Sequence, residues 1–170
     1  MDELKKRKTT RLPIADYNSV GAYFITICTQ NRRCILSQIV GTGVLDGPQI
    51  KLTKYGEIAD KYIHQLNDFY NNIKIERYVI MLNHIHLLLF INPNDNGPSG
   101  TPDPTVQNSI VSRFISTFKR FSNKEYGENI WQYRSNDHII RNHQDYEKHV
   151  KYIYENPMRW HYDELYSEEQ

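Results

Sequence analysis

Cysteine is scarce: Cys28 and Cys34 are the only two, too few for a disulfide framework and without the CxxC or Cys–His spacing of a zinc finger. A reduced, cytoplasmic setting is expected. Neither sign of charge dominates, with 21 Lys and Arg against 20 Asp and Glu, so bulk basicity gives no route to nucleic acid or to a membrane surface. Long apolar runs are missing too. The charged N-terminus has no apolar segment behind it, and the longest apolar run falls short of a membrane span, so an unexported protein without a membrane anchor is expected. Repeats and low-complexity tracts are absent. At 170 residues, one domain with a core of ordinary size is expected.

The balanced charge hides a polarity along the chain. Lys5, Lys6, Arg7, Lys8 and Arg11 make residues 1–11 a basic arm, whereas Asp163, Glu164, Glu168 and Glu169 make residues 163–170 an acidic tail. Residues 12–162 form the single domain between them. A basic arm either touches phosphate backbones or is a solvated terminus, and charge pattern alone does not choose.

Ala22 to Thr29 (AYFITICT) is β-branched and aromatic, which predicts a strand. Gln30 to Arg33 is a polar turn into a second apolar stretch, Cys34 to Val40, so a hairpin is the simplest join. Tyr55 to Phe69 places Ile58, Tyr62, Leu66 and Phe69 at spacings of three and four, which predicts a helix. Strands follow at Ile73 to Met81 and His84 to Ile91, meeting in a turn or bulge at Leu82 and Asn83. Residues 92–105, NPNDNGPSGTPDPT, lack a large apolar anchor and read as a mobile surface loop. Val106 to Phe121 carries an apolar stripe of Ile110, Val111, Phe114, Ile115, Phe118 and Phe121, a second amphipathic helix. A short strand at His138 to Ile140 and a last helix from Gln144 complete the order. This order predicts an α+β, ferredoxin-like or RRM-like antiparallel sheet with helices on one face, an extra N-terminal hairpin and a C-terminal helix.

The most informative stretch is Tyr78 to Ile91, YVIMLNHIHLLLFI. Strand side chains alternate, so His84 and His86 share a face, as two imidazoles must to share one metal ion. The bland reading is a pair of satisfied core histidines. Downstream, HVKYIYENP puts Tyr152 and Asn156 one helical turn apart on one face, with His149 just before them. With 13 tyrosines in the chain, packing alone accounts for most of them. If the helix lies over the sheet, however, an amide oxygen becomes a third ligand and a phenol stands beside the metal. Such a site can polarise a phosphodiester while the phenolate attacks phosphorus. A phenol needs adjacent positive charge for this, since its ordinary pKa is about 10; Lys148 and Lys151 are near in sequence.

For DNA, Arg113, Lys119, Arg120 and Lys124 give the second helix a cationic edge. Trp131 and Tyr133 offer rings on which unpaired bases can stack. A solvated helix face and a core-filling Trp131 are the plain alternatives.

The HIH pair, the YIYENP tyrosine, the opening RLPIADYNSVGAYFITICTQNRR and the segment IWQYRSNDHIIRN together resemble the REP-associated tyrosine transposases, relatives of the IS200/IS605 single-tyrosine transposases, from Arg11 to Trp160. The resemblance implies an HUH endonuclease that cuts and rejoins single-stranded DNA beside hairpins of palindromic repeats. It implies that His84 and His86 are the HUH histidines, that Tyr152 is the nucleophile and that Asn156 is a further metal ligand. It also implies a covalent 5′-phosphotyrosine with release of a 3′ hydroxyl, Mg²⁺ or Mn²⁺ as the metal, and no nucleotide cofactor. Imidazoles favour softer metals, so phosphate and water oxygens must complete such a site. Two departures are visible: Leu82 stands where many relatives have Pro before the Asn of the HUH strand, and Ser135 and Asn136 precede Asp137 and His138 where an aromatic is common. Asp137 reads as a turn cap.

Histidine-triad nucleotide hydrolases need a third alternate histidine, and Leu88 occupies that place. The other rival is a catalytically idle module that binds hairpin DNA or RNA. Insertion-sequence relatives exchange the tyrosine helix within dimers, whereas some repeat-associated ones are monomers. With no long apolar stripe left over, a monomer or weak homodimer is expected here.

Overall fold

The computed structural model describes residues 20–41, 47–92 and 109–168. The basic arm at 1–11 and residues 93–105 of the expected loop lie outside the described residues.

Four strands, β1 (Gly21–Cys28), β4 (Ile73–Ile80), β5 (His84–Ile91) and β6 (Asn136–Ile139), form one sheet in the order β4-β5-β1-β6, every neighbouring pair antiparallel. With α1 (Lys54–Phe69) between β1 and β4, and α2 (Ile110–Tyr126) between β5 and β6, the topology is the split βαβ of the ferredoxin-like α+β fold. The chain's apolar alternation decides which face each helix covers. Tyr23, Ile25 and Ile27 of β1 and Ile85, Leu87, Leu89 and Ile91 of β5 pack with Ala59, Ile63 and Leu66 of α1 and Val111, Phe114, Ile115 and Phe118 of α2. Each such side chain removed from water contributes roughly 2 kcal/mol, so this face holds the sheet together.

The alternate residues face the other way. Phe24 and Leu88 pack with Ile153, Val150 and Tyr146 of α3 (His143–Glu155), which therefore crosses the sheet on the face opposite α1 and α2. His84 and His86 belong to this second set.

Local signals end each helix. Thr53 caps α1 by accepting from the Gly56 N–H, Ser109 caps α2 through the Ser112 N–H, and Asn142 caps α3 through the Asp145 N–H at 2.9 Å. Gly127 closes α2 at φ +74°.

The hairpin expected between β1 and Cys34–Val40 is not formed. The 3-10 turn Gln30–Arg32, with Asn31 and Arg32 at φ 53° and 54°, turns the chain out of the sheet, and β2 (Ser37–Val40) pairs instead with β3 (Gln49–Leu52) in a separate two-stranded sheet. Of the acidic tail drawn from residue 163, the structure describes residues as far as Glu168. Trp160, 3 % exposed, is buried with Met81 and Leu82, Tyr166 packs on its ring, and Ser167 Oγ donates to the Arg32 carbonyl at 3.0 Å. Asp137, read as a turn cap, lies within β6 opposite Ile25.

Candidate active site

Antiparallel register sets Thr26 directly across from His86 and Cys28 across from His84. Thr26 Oγ1 pairs with His86 Nδ1 at 2.9 Å, and Asn83 Oδ1 accepts from His84 Nδ1 at 2.8 Å. Asn83 cannot be turned the other way, because its Nδ2 donates to the Leu165 carbonyl at 2.9 Å. The proton of His84 is therefore on Nδ1 and the lone pair on Nε2. The two imidazole rings lie 4.4 Å apart between centroids, and His86 stands 5.1 Å from the Tyr152 ring.

α3 reaches this place because its buried face fixes its roll. Ile153 and Val150 seat on Phe24 and Leu88, and His138 of β6 bonds Asp145 in the helix's first turn at 2.9 Å, tying the helix to the sheet edge. Tyr152 and Asn156, one turn apart, then share the face turned towards the histidines. Tyr152 and Asn156 both donate to Asp163 Oδ2, at 2.8 Å and 2.7 Å, while Asp163 Oδ1 accepts the Leu165 N–H at 2.7 Å.

The bonds already made leave a pattern of unused atoms. Among the described residues, four buried side-chain N or O atoms have no hydrogen-bond partner, and three of them are His84 Nε2, His86 Nε2 and Asn156 Oδ1. An unsatisfied buried polar atom costs about 1–3 kcal/mol, so three on neighbouring side chains mark a place built for a ligand. Each side chain's other polar atom is held by Asn83, Thr26 or Asp163, the arrangement that orients metal ligands. The ligand atoms of His84, His86 and Asp163 also lie within 4.8 Å of one another.

Burial sets the charge state. It pulls the His84 imidazole down to about 4, with Asp163 opposing and Arg32 assisting. It holds His86 well below its usual value, reinforced by His84 and His149. Both rings are thus neutral at neutral pH. Tyr152 is pushed up, first by burial and then by its bond to Asp163, so without further positive charge the phenol keeps its proton.

A cleft of about 830 Å³ opens here, with Phe24, Thr26 and His86 on its floor and Tyr152, Asn156 and Asp163 in its wall. Its cations are Arg134, Lys148, Lys151 and Arg159. The DNA-contact residues expected on the second helix lie elsewhere. Arg113, Arg120 and Lys124 are exposed on α2, which covers the opposite face of the sheet. Lys119 is tied to the carbonyls of Gln132 at 2.8 Å and Tyr133 at 3.3 Å, and burial lowers its ammonium to about 8. Trp131 is 1 % exposed, its indole N–H bonded to Ser122 Oγ at 2.8 Å, so it fills the core and offers no face to a base. Tyr133, in contrast, is 96 % exposed.

The sequence does not point to Asp163, Asn83 or Thr26 as site residues. Asp163 blends into a run of acidic residues, and Thr26 is adjacent to His86 only through β1–β5 pairing. Asn83, next to His84, carries the one available signal: an amide immediately before a histidine pair.

No family model matches the chain. It is 30 % identical to an uncharacterized protein of Haemophilus influenzae, over 94 % of this chain and 93 % of that protein. It is 29 % identical to a REP-associated tyrosine transposase of Escherichia coli K12, over 84 % of this chain and 70 % of that protein. A solved structure of a REP-associated tyrosine transposase bound to a REP hairpin shares the fold, with a TM-score of 0.58 and 24 % identity across 94 % of this chain and 74 % of that one. The chain is thus similar in sequence to a REP-associated tyrosine transposase and shares the fold of a solved one.

Proposed function

We propose that the protein is a metal-dependent nuclease and strand transferase that cuts single-stranded DNA beside a palindromic hairpin through a 5′-phosphotyrosine. The observation that carries this reading is the set of three unsatisfied buried atoms, His84 Nε2, His86 Nε2 and Asn156 Oδ1, beside the Tyr152 ring. Two neutral imidazoles and a carboxamide oxygen fit a divalent ion, Mn²⁺ more readily than Mg²⁺ by donor chemistry. When bound, that ion supplies Lewis-acid stabilisation of charge on the scissile phosphate.

The chain's own groups do the rest. Tyr152 O attacks phosphorus, the bond from phosphorus to the 3′ oxygen breaks, and the strand leaves with a 3′ hydroxyl. Bond energy is kept in the phosphotyrosine, so rejoining needs no nucleotide cofactor. Arg134, Lys148, Lys151 and Arg159 line the cleft and take the backbone phosphates. Arg113, Arg120 and Lys124, on the far face, meet only duplex remote from the cut. Action as a monomer or weak homodimer belongs to the same proposal. The domain is proposed to span 12–162, extended to Glu168 by the packed segment after Trp160.

The hairpin is drawn from the REP hairpin bound by the structural relative. The test is a labelled hairpin oligonucleotide with a single-stranded flank, incubated with Mn²⁺ or Mg²⁺ and run on a denaturing gel. A labelled band at protein size, lost with chelator and in Tyr152→Phe, is the expected result. Tight binding without that band would make the protein an idle hairpin-binding module.

A further inference from the structure

We propose that Asp163 is a further catalytic residue, taking the phenolic proton of Tyr152 as the strand is cut and returning it as the strand is rejoined. This deepens the reading of Tyr152 as nucleophile and rests on it. A proton acceptor must first be within hydrogen-bond reach of the proton it removes. Asp163 Oδ2 receives the Tyr152 O–H at 2.8 Å. The other base beside the tyrosine is His149, whose Nδ1 donates to the Asp145 carbonyl at 2.7 Å and leaves a lone pair on Nε2, but the single Tyr152 O–H is directed at Asp163.

The carboxylate is also held still. Asn156 Nδ2 donates to the same Oδ2 at 2.7 Å, the Leu165 N–H donates to Oδ1 at 2.7 Å, and Asp163's own N–H bonds the Trp160 carbonyl at 3.0 Å. Trp160 is 3 % exposed, so the turn that carries Asp163 is anchored in the core. One oxygen thus registers the nucleophile against the carboxamide whose other end, Oδ1, is left for the metal.

In cleavage the Tyr152 oxygen bonds to phosphorus, the phosphorus–O3′ bond breaks, the phenolic proton passes to Asp163 Oδ2, and water protonates the departing 3′ oxygen. In rejoining, a 3′ hydroxyl attacks phosphorus and loses its proton to water, and Asp163 returns its proton to the departing phenolate. No oxidant, reductant or nucleotide is required.

The test uses the full chain with Mn²⁺ in single-turnover cleavage of a labelled hairpin oligonucleotide. Asp163→Asn is expected to slow adduct formation about 100-fold, with oligonucleotide affinity within about threefold of wild type. Asp163→Glu, which keeps the carboxylate, is expected to recover most of the rate and guards against a fold defect. Trifluorotyrosine placed at position 152 has a more acidic phenol and needs less help in losing its proton. In the Asp163→Asn background it is expected to restore about tenfold. An Asp163→Asn protein that cleaves as fast as wild type, or faster, overturns the proposal and makes the carboxylate a blocker of the phosphate's place. Absence of fluorotyrosine rescue also overturns it, leaving a shaping role. A wild-type protein that forms no adduct sinks the nucleophile reading together with this one.

Discussion

Asn83 accepts the Nδ1 proton of His84 at 2.8 Å while its own amide is locked by the Leu165 carbonyl. One side chain therefore decides which nitrogen of a candidate metal ligand carries the lone pair. Asn83→Ala should weaken Mn²⁺ binding about 10-fold or more, read by isothermal titration calorimetry. Affinity equal to wild type would show that the tautomer is not set this way.

Asn156→Ala removes the carboxamide oxygen left without a partner, and the same calorimetry should register weaker metal binding. Tyr152→Phe, at a residue 38 % exposed, should keep its thermal midpoint and its metal affinity while losing all covalent adduct. Retained adduct in Tyr152→Phe would move the nucleophile elsewhere.

Acid should destabilise the metal-free protein. His84 has a folded pKa of about 4 against 6.5 when unfolded, and His86 is lowered in the same direction. Below 6.5 the unfolded chain binds protons that the folded chain refuses. The stabilisation is therefore fully present above about pH 6.5 and is lost as pH falls towards 4. Urea midpoints measured with chelator from pH 7.5 to 4.5 should fall in wild type and flatten in a protein with both histidines replaced by Gln.

The cations of the cleft and of α2 are separable. Replacing Lys148 and Lys151 by Ala should reduce the slope of log K against log salt by about 0.7 for each single-strand phosphate that is no longer neutralised. Replacing Arg113 and Arg120 should leave binding of an unpaired oligonucleotide unchanged. Equal weakening by both pairs of substitutions would place the strand on the wrong face of the sheet.

Trp131→Ala should behave as a core mutation. The indole is 1 % exposed and packs on Phe118 at 5.4 Å, so truncation should cost about 3–5 kcal/mol in chemical denaturation. A selective loss of DNA affinity with unchanged stability would contradict this. Gly56→Ala should also destabilise, since an added Cβ would collide with the Leu36 carbonyl oxygen.

Much of the scaffold is legible because it is written in local periodicity. The α1 and α2 stripes, the β4 and β5 runs and the split βαβ order all follow from spacings of two and of three to four residues. The β2–β3 pairing is not legible, since pairing Cys34–Val40 with β1 is equally good by composition. The positive φ of Asn31 and Arg32, which turns the chain away, is hinted at only by Asn31, a residue type that tolerates it, and not by Arg32. Lys119 and Trp131 mislead for a related reason: a basic stripe and an aromatic have the same signature whether they face solvent or the protein.

What the sequence determined by itself is pairwise and short-range. Strand alternation puts His84 and His86 on one face, and the helical repeat puts Tyr152 and Asn156 on another, because both are consequences of backbone geometry over a few residues. Only the tertiary structure decided that those two faces meet, that α3 takes the side of the sheet opposite α1 and α2, and that Asp163 closes against Tyr152. Those distances are set by how Phe24, Leu88, Ile153 and Trp160 pack, and packing between remote segments is a property of the whole core that no local spacing records.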